Sequence, residues 1–256
     1  MPGPTFHAIA IVDIEGFGRR PNPVQKELRT AMYQVVRSAL NEAGLDPAAI
    51  VQEDRGDGII LLDPGTSTLR LTGRFVKELD AALRQHERMT SEVARMRLRV
   101  AVHQGLCERD EDGWIGEAIN TTARLVDAAP LKEALAKAKR ATMALIVSDE
   151  IHRSVVRHEY PHIDSSTFGK VMIDAKELRD EPVWIHVPGY SYPPGLAERP
   201  AEASPVEAPG PPPPPAPPPG QSGGIANHGP VTLNGGDQIA RDKIVYQGVQ
   251  PPADRR

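Results

Sequence analysis

The sequence predicts an α+β fold: a ferredoxin-like βαββαβ core with extra helices and strands, followed by a disordered proline-rich linker and a short tail. Apolar strand patterns and helical periodicities alternate in the order strand, helix, strand, strand, helix, strand, which is the split βαβ arrangement. These elements lie within residues 5–189, a length that supports one good core. The composition changes sharply at about residue 190, so the 256-residue chain contains one domain and an additional C-terminal part.

The first strand and helix of the core have clear boundaries. Residues 7–13 form an apolar run that ends in Asp13 and predicts a buried strand. Asn22 and Pro23 then supply an N-cap and a proline at the first helical position. Apolar residues follow at helical spacing until Gly44, which ends this helix.

The stretch 51–62 predicts two short strands joined by a tight turn. Gly56 and Gly58 flank Asp57 and leave the backbone free to turn. The apolar run 59–62 has the length and composition of a strand that is buried on both faces.

The rest of the core contains an amphipathic helix and an alternating strand. The helix is predicted over 69–83, and the strand over 97–103 alternates as if one of its faces met solvent. Outside the core, the patterns predict helices over 117–128 and 131–140 and strands over 143–147 and 182–187.

Charge and composition exclude several classes of function. The net charge of −4 and a pI near 6.1 indicate neither a nucleic-acid-binding protein nor a polybasic membrane ligand. The single cysteine, Cys107, excludes an intramolecular disulfide and is expected to be a small, semi-buried residue. No signal peptide or long apolar run is apparent, so we expect a soluble cytoplasmic protein.

Two segments follow the domain. Residues 190–224 are dominated by proline and predict an extended, semi-rigid, disordered linker. Residues 225–256 contain glycine, asparagine and aspartate, with possible strands at 231–233 and 243–246. This tail is either a docking or homotypic interaction module that acts by strand addition, or a disordered end.

A glycine-rich loop follows the first strand directly. It consists of Glu15, Gly16, Phe17 and Gly18, and it begins two residues after Asp13. Exposed N–H groups in such a loop form a concave anion site that suits phosphate, whereas the simpler interpretation is a plain turn.

Two aspartates are expected to meet near this loop. In a split βαβ sheet the first strand lies beside the third, so Asp13 at a strand end and Asp57 in the turn can come close. Two adjacent carboxylates repel each other unless a cation lies between them. Ligation by oxygen atoms alone favours Mg²⁺ or Mn²⁺, with substrate phosphates completing the coordination shell.

A third polar group lies on the predicted helix 117–128. Asn120 and Arg124 are four residues apart and therefore share one helix face. An amide beside a planar guanidinium suits an anionic or ribose-bearing ligand, although an exposed helix face would show the same spacing.

Together these segments resemble the three signatures of class III nucleotidyl cyclases, the catalytic domains of adenylate and guanylate cyclases. The matching segments are 13–17, 56–58 and 116–124, and their order and spacing agree over most of residues 5–189. The linker and the tail lie outside the resemblance.

The resemblance implies a homodimer with composite sites and two divalent ions, Mg²⁺ or Mn²⁺, in each site. It implies that Asp13, Asp57 and the Ile14 carbonyl hold the ions in one subunit, while the loop 15–18 cradles the phosphates. Asn120 of the partner subunit would orient the ribose, and Arg124 would stabilise charge on the α-phosphate. The implied reaction converts a nucleoside triphosphate to a 3′,5′-cyclic nucleotide and pyrophosphate.

The resemblance also implies a triphosphate-binding lysine late in the domain. Lys176, just before the last predicted strand, is the best match, and Lys170 is the alternative.

Two positions are implied to read the base. Glu53 can accept hydrogen bonds from the N1–H and N2 amino groups of guanine, which favours GTP. The second position is Gly113, which has no side chain, and the neighbouring Asp112 could replace it only if the loop were shifted. A purine, from GTP or ATP, is therefore expected. The alternatives are a pyrimidine cyclase of a phage-defence system, making cUMP or cCMP, and a degenerate domain that only binds nucleotide or dimerises and signals through its tail.

Overall fold

The computed structural model describes residues 3–65, 68–176 and 178–197. The predictions for the tail 225–256 and for most of the linker lie outside the described residues.

A single mixed sheet forms the centre of the described chain. Its strands run in the order β2-β3-β1-β4-β6-β8-β7, and the short β5 pairs with β4 outside this path. All neighbouring strands are antiparallel except β4 and β6, which are parallel. The strands are Thr5–Ile14 (β1), Val51–Asp54 (β2), Gly58–Asp63 (β3), Leu98–Arg109 (β4), Trp114–Ile115 (β5), Met143–Ser148 (β6), Gly169–Ala175 (β7) and Leu178–His186 (β8).

Helices pack on both faces of this sheet. They are Asn22–Glu42 (α1), Thr68–Thr72 (α2), Arg74–Met89 (α3), Glu117–Asp127 (α4), Ala129–Lys137 (α5) and Asp149–Ser154 (α6). Side chains of α1 and α3 form one apolar core with one face of the sheet, and those of α4 and α5 form a second core with the other face. The order β1-α1-β2-β3-α3-β4 confirms the predicted ferredoxin-like core.

The strand β4 was expected to have one solvent-facing side, and this prediction is wrong. Ala101 is completely buried within the core that α4 and α5 complete. Short-range alternation in the sequence could not reveal that helices more distant in the chain cover this face.

The first helix has the predicted extent. It begins at Asn22, with Pro21 rather than Asn22 in the N-cap position. At its end, the N–H of Gly44 donates to the Asn41 carbonyl and that of Leu45 donates to the Leu40 carbonyl. This pair of bonds is a Schellman motif, which accounts for the predicted end at Gly44.

Several other elements differ from the predictions. The helix predicted over 69–83 is divided at Gly73, whose non-helical backbone (φ −100°, ψ −85°) separates α2 from α3. The helix predicted over 131–140 begins and ends earlier, as α5. Strand β7 was not predicted; it is an edge strand in which Lys170, Met172 and Asp174 are exposed.

The packed chain extends past the predicted domain end at residue 189. The Arg140 N–H donates to the Tyr190 hydroxyl over 3.2 Å, and Leu196 packs against the core on the α4 side. The start of the predicted linker is therefore part of the folded unit as far as it is described.

Two smaller features bear on the composition. Cys107 is a buried free thiol, and burial raises its pKa. Among the residues that the structure describes, no helix is long and apolar enough to cross a membrane.

Candidate active site

Strand pairing brings the two predicted aspartates together. β1 and β3 are antiparallel with Asp13 opposite Gly58, and the Ile14 N–H donates to the Asp57 carbonyl over 2.9 Å. A Cβ atom on Gly58 would lie 2.6 Å from the Val12 carbonyl oxygen, closer than real contacts allow. Only glycine therefore permits the turn that carries Asp57 to lie against the end of β1.

The turn itself is held by local hydrogen bonds. The Arg55 N–H donates to the Gly58 carbonyl over 2.9 Å, and the Gly56 N–H donates to Asp54 Oδ1 over 2.8 Å. Asp54 also forms an ion pair with Arg29 of α1. These contacts fix the backbone on both sides of Asp57.

Asp13 has an unusual electrostatic environment. Its side chain is 14% exposed, and its pKa is raised from 3.8 to about 6, mainly because burial disfavours the charged carboxylate. The charge and hydrogen bond of Arg99 act in the opposite direction to burial, while the nearby charges of Asp57 and Asp127 act in the same direction as burial. The carboxylates of Asp13 and Asp57 therefore lie close enough to repel each other.

Arg99 is a site residue that the sequence interpretation missed. It lies directly opposite Asp13 in the β1–β4 ladder, and its side chain is 12% exposed. Its Nε donates to Asp13 Oδ1 over 2.9 Å, and its Nη2 donates to the same oxygen. The available signal was an arginine between the apolar residues Leu98 and Val100, but its partner depends on register, which the sequence does not reveal.

The donor atoms at this end of β1 fit a hard divalent cation. Asp13, Asp57 and the Ile14 carbonyl offer oxygen atoms only, as Mg²⁺ and Mn²⁺ require. The described residues contain no cluster of three or more histidine, cysteine or acidic side chains suited to a metal. The candidate cation ligands are thus two carboxylates and one backbone carbonyl. A cation bound by them would keep coordination positions for water or phosphate.

The predicted phosphate loop follows directly. Glu15 already has partners within the chain. Its N–H donates to the Arg97 carbonyl over 2.9 Å, and its carboxylate lies 3.5 Å from Arg97 Nε. The N–H groups of Gly16, Phe17 and Gly18 have no hydrogen-bond partner in the described chain. These three groups, rather than Glu15, are available to an anion.

Helix α4 presents the second half of the predicted site. Asn120 and Arg124 line one cleft of about 540 Å³, together with Glu117, Thr121 and Leu178. Neither Asp13 nor Asp57 lines this cleft. Within one chain, Asp13 and Asp57 therefore lie apart from Asn120 and Arg124. We call the first pair the acidic half-site and the second pair the α4 half-site.

The turn between β7 and β8 distinguishes the two candidate lysines. Lys176 follows Ala175, which is paired with Leu178, so Lys176 lies in a tight turn whose far side lines the α4 cleft. Lys170 instead lies over the Trp184 ring, 5.8 Å from its centroid. Lys176 is thus two residues from the cleft-lining Leu178, although neither lysine is among the described residues that line the cleft.

The two predicted base-reading positions line one cavity. This cavity of about 270 Å³ contains Glu53, Gly113 and also Asp112 and Arg55. Gly113 has φ 145°, a backbone conformation that favours glycine, and its N–H donates to Asp110 Oδ1 over 2.8 Å. Gly113 therefore lets the chain turn between β4 and β5. The side chains that line the cavity come from the other residues.

Comparison with known proteins identifies the fold. No family model matches the sequence, and no curated protein matches it. An adenylate/guanylate cyclase/hydrolase from Silicibacter pomeroyi has a similar structure, with 21% identity and a TM-score of 0.54, over 74% of this chain and 100% of that one. The guanylyl cyclase Cya2 matches with 18% identity and a TM-score of 0.51, over 78% and 100% of the two chains.

A bacterial light-regulated adenylyl cyclase is also similar, with 13% identity and a TM-score of 0.50, over 73% of this chain and 53% of that one. At these identities the likeness establishes the fold. The described domain has the fold of class III nucleotidyl cyclase catalytic domains, as the sequence resemblance implied.

Proposed function

We propose that this chain, with the fold of class III nucleotidyl cyclase catalytic domains, converts a nucleoside triphosphate to a 3′,5′-cyclic nucleotide and pyrophosphate. The observation that carries the proposal is the division of the site. Asp13 and Asp57 meet at one end of β1, whereas Asn120 and Arg124 line a different cleft. A head-to-tail homodimer would join the acidic half-site of one subunit to the α4 half-site of its partner.

Asp13, Asp57 and the Ile14 carbonyl would hold two Mg²⁺ or Mn²⁺ ions. When bound, such ions neutralise the triphosphate and lower the pKa of the ribose 3′-hydroxyl. The N–H groups of Gly16 and Gly18 would donate to phosphate oxygens beside this site.

The α4 half-site would position the other end of the substrate. The Asn120 amide would hydrogen-bond to the ribose, and the Arg124 guanidinium would neutralise charge on the α-phosphate. Lys176 would contact the triphosphate from the β7–β8 turn. The ribose 3′-oxygen then forms a bond to the α-phosphorus, the bond from that phosphorus to the bridging oxygen breaks, and pyrophosphate leaves as the 3′-hydroxyl proton passes to solvent.

Glu53 supports GTP as the substrate. Its carboxylate lines the cavity with Asp112 and Arg55, so this pocket contains two carboxylate acceptors beside one guanidinium donor. Guanine offers N1–H and an N2 amino group on one edge, whereas the N1 atom of adenine is itself an acceptor. ATP and the pyrimidine triphosphates are the competing substrates that a direct assay distinguishes.

A second function is favoured by one specific contact. Because Arg99 already donates twice to Asp13, this carboxylate has a cationic partner in the absence of a metal ion. This arrangement would also suit a domain that binds a nucleotide or dimerises without turnover and signals through its tail.

The test is incubation of the purified protein with each of the four nucleoside triphosphates and Mn²⁺, followed by separation of the products. A cyclic product that disappears in Asp57→Ala but persists in Glu133→Ala, which removes an exposed carboxylate of α5, supports the cyclase. Binding of nucleotide without any product supports the second function.

The tail 225–256 remains a proposed docking or self-association module. Deleting it from the full chain tests this role. If the deletion changes neither the oligomeric state nor the activity, the docking role is excluded.

A further inference from the structure

A chain of ion pairs connects the acidic half-site to the end of α4. Arg99 donates to Asp13, and its Nη1 lies 3.7 Å from Asp127 Oδ1. The same Asp127 oxygen lies 2.9 Å from Lys132 Nζ on α5. The charges therefore alternate in the order Asp13, Arg99, Asp127, Lys132.

Asp127 occupies a position that its own helix disfavours. It is the last residue of α4, whose C-terminal end carries partial negative charge from unpaired carbonyl groups. A carboxylate at this end of a helix is repelled by the helix dipole. The Asp127 side chain is also 70% exposed, so it could turn away from its cationic neighbours into solvent. Its two cationic neighbours offset that repulsion, and only one of them, Arg99, contacts the proposed metal site.

We propose that Asp127 is a positioning residue that competes with Asp13 for Arg99 and thereby sets how readily the acidic half-site accepts a divalent cation. The proposal rests on the proposed function, since it concerns the cation that Asp13 and Asp57 would hold.

The physical reason is charge balance around Arg99. Without a cation, the guanidinium neutralises Asp13 through two N–H groups on one oxygen. A divalent ion at Asp13 would repel this guanidinium and compete for the same carboxylate. Asp127 gives Arg99 a second carboxylate within reach, so Arg99 can remain paired when Asp13 is engaged.

Lys132 opposes this effect. It holds the Asp127 oxygen that lies nearest Arg99, which reduces the attraction of Asp127 for the guanidinium. Removing Asp127 and removing Lys132 should therefore change cation affinity in opposite directions.

The experiment measures Mn²⁺ binding to the full chain by electron paramagnetic resonance of the free ion, without nucleotide. Asp127→Asn is expected to weaken binding about three- to fivefold, the range of one partly exposed ion pair. Lys132→Met is expected to strengthen binding about twofold for the same reason. Asp127→Glu should restore wild-type affinity. The matched control is Glu133→Gln, which makes the same charge change on α5 in a residue that pairs with Lys137, and it should leave affinity unchanged.

A double-mutant cycle separates this route from a general effect of charge. In an Arg99→Gln background, Asp127→Asn should have no further effect, because Asp127 acts through Arg99. Circular dichroism melting of each variant verifies that it is folded.

Each outcome decides between the alternatives. Equal Mn²⁺ affinity in wild type and Asp127→Asn overturns the proposal while leaving the cyclase intact, as does an undiminished Asp127→Asn effect in the Arg99→Gln background. Absence of Mn²⁺ binding to the wild-type protein overturns both this proposal and the metal site of the proposed function.

Discussion

Arg99 donates two hydrogen bonds to the same oxygen, Oδ1, of Asp13. No hydrogen bond to the other oxygen, Oδ2, is present in the described part of the chain. Burial raises the pKa of this carboxylate, the pairing with Arg99 on the β4 side lowers it, and repulsion from Asp57 raises it. As a result, the ionised form of Asp13 destabilises the folded protein when no cation is bound.

The first prediction concerns the pH dependence of stability. The folded-state pKa of Asp13 is raised from 3.8 to about 6, so the folded protein binds this proton more tightly than the unfolded chain. The stabilisation is fully present below about pH 4 and is lost as the pH rises through about 6. Asp13→Asn, which stays neutral, should therefore gain about 2 to 3 kcal/mol in free energy of unfolding relative to wild type between pH 4 and pH 7.5.

Urea unfolding of both proteins at the two pH values measures this gap, in metal-free buffer. A difference between Asp13→Asn and wild type that stays constant with pH would show that Asp13 titrates normally.

The second prediction concerns the close approach at Gly58. Gly58→Ala should lower the free energy of unfolding by about 1 to 3 kcal/mol, because its Cβ would overlap the Val12 carbonyl oxygen. Gly18→Ala is the matched control: it has open space around its Cβ position and should change stability by no more than about 0.5 kcal/mol. Denaturant unfolding that ranks the two variants equally would mean that the turn can shift away from β1.

The part of the site near Gly58 follows from the sequence, and the reason is topological. Because the alternating elements predict a split βαβ sheet, the neighbouring positions of Asp13 and Asp57 follow from strand order alone. Arg99 was not predicted, since its position opposite Asp13 depends on the register between β1 and β4.

Gly113 illustrates a different limit of sequence interpretation. A motif position indicates where a base-reading side chain belongs, yet the backbone here has φ 145° and closes a hairpin. The structure shows that the neighbouring Asp112, and also Arg55, line the cavity to which Gly113 contributes no side chain.

The third prediction addresses the base. Glu53→Gln should reduce kcat/KM for GTP about ten- to a hundredfold, because a charged acceptor of two guanine N–H groups becomes a neutral amide that also presents donors. Asp112→Asn makes the same charge change in the same cavity and should have a smaller effect. Steady-state kinetics with GTP would contradict this role of Glu53 if the two variants lost activity equally.

The fourth prediction distinguishes the late lysines. Lys176→Ala should raise the KM for the triphosphate about tenfold, since it removes a charge beside the α4 cleft. Lys170→Ala is the control because Lys170 lies over Trp184 instead, and it should change KM by less than about twofold. The assignment is reversed if the Lys170 variant shows the larger change in KM.

The central claim is that two subunits contribute different halves of one active site, and mixing two inactive variants tests it most directly. Asp57→Ala disables the acidic half-site, and Asn120→Ala disables the α4 half-site. In an equimolar mixture with free subunit exchange, half of the dimers contain both variants, and each of these has one intact composite site of two. We predict cyclic-nucleotide production at about a quarter of the wild-type rate in the mixture and almost none from either variant alone. A mixture of exchanging subunits that stays as inactive as its components would contradict the composite site.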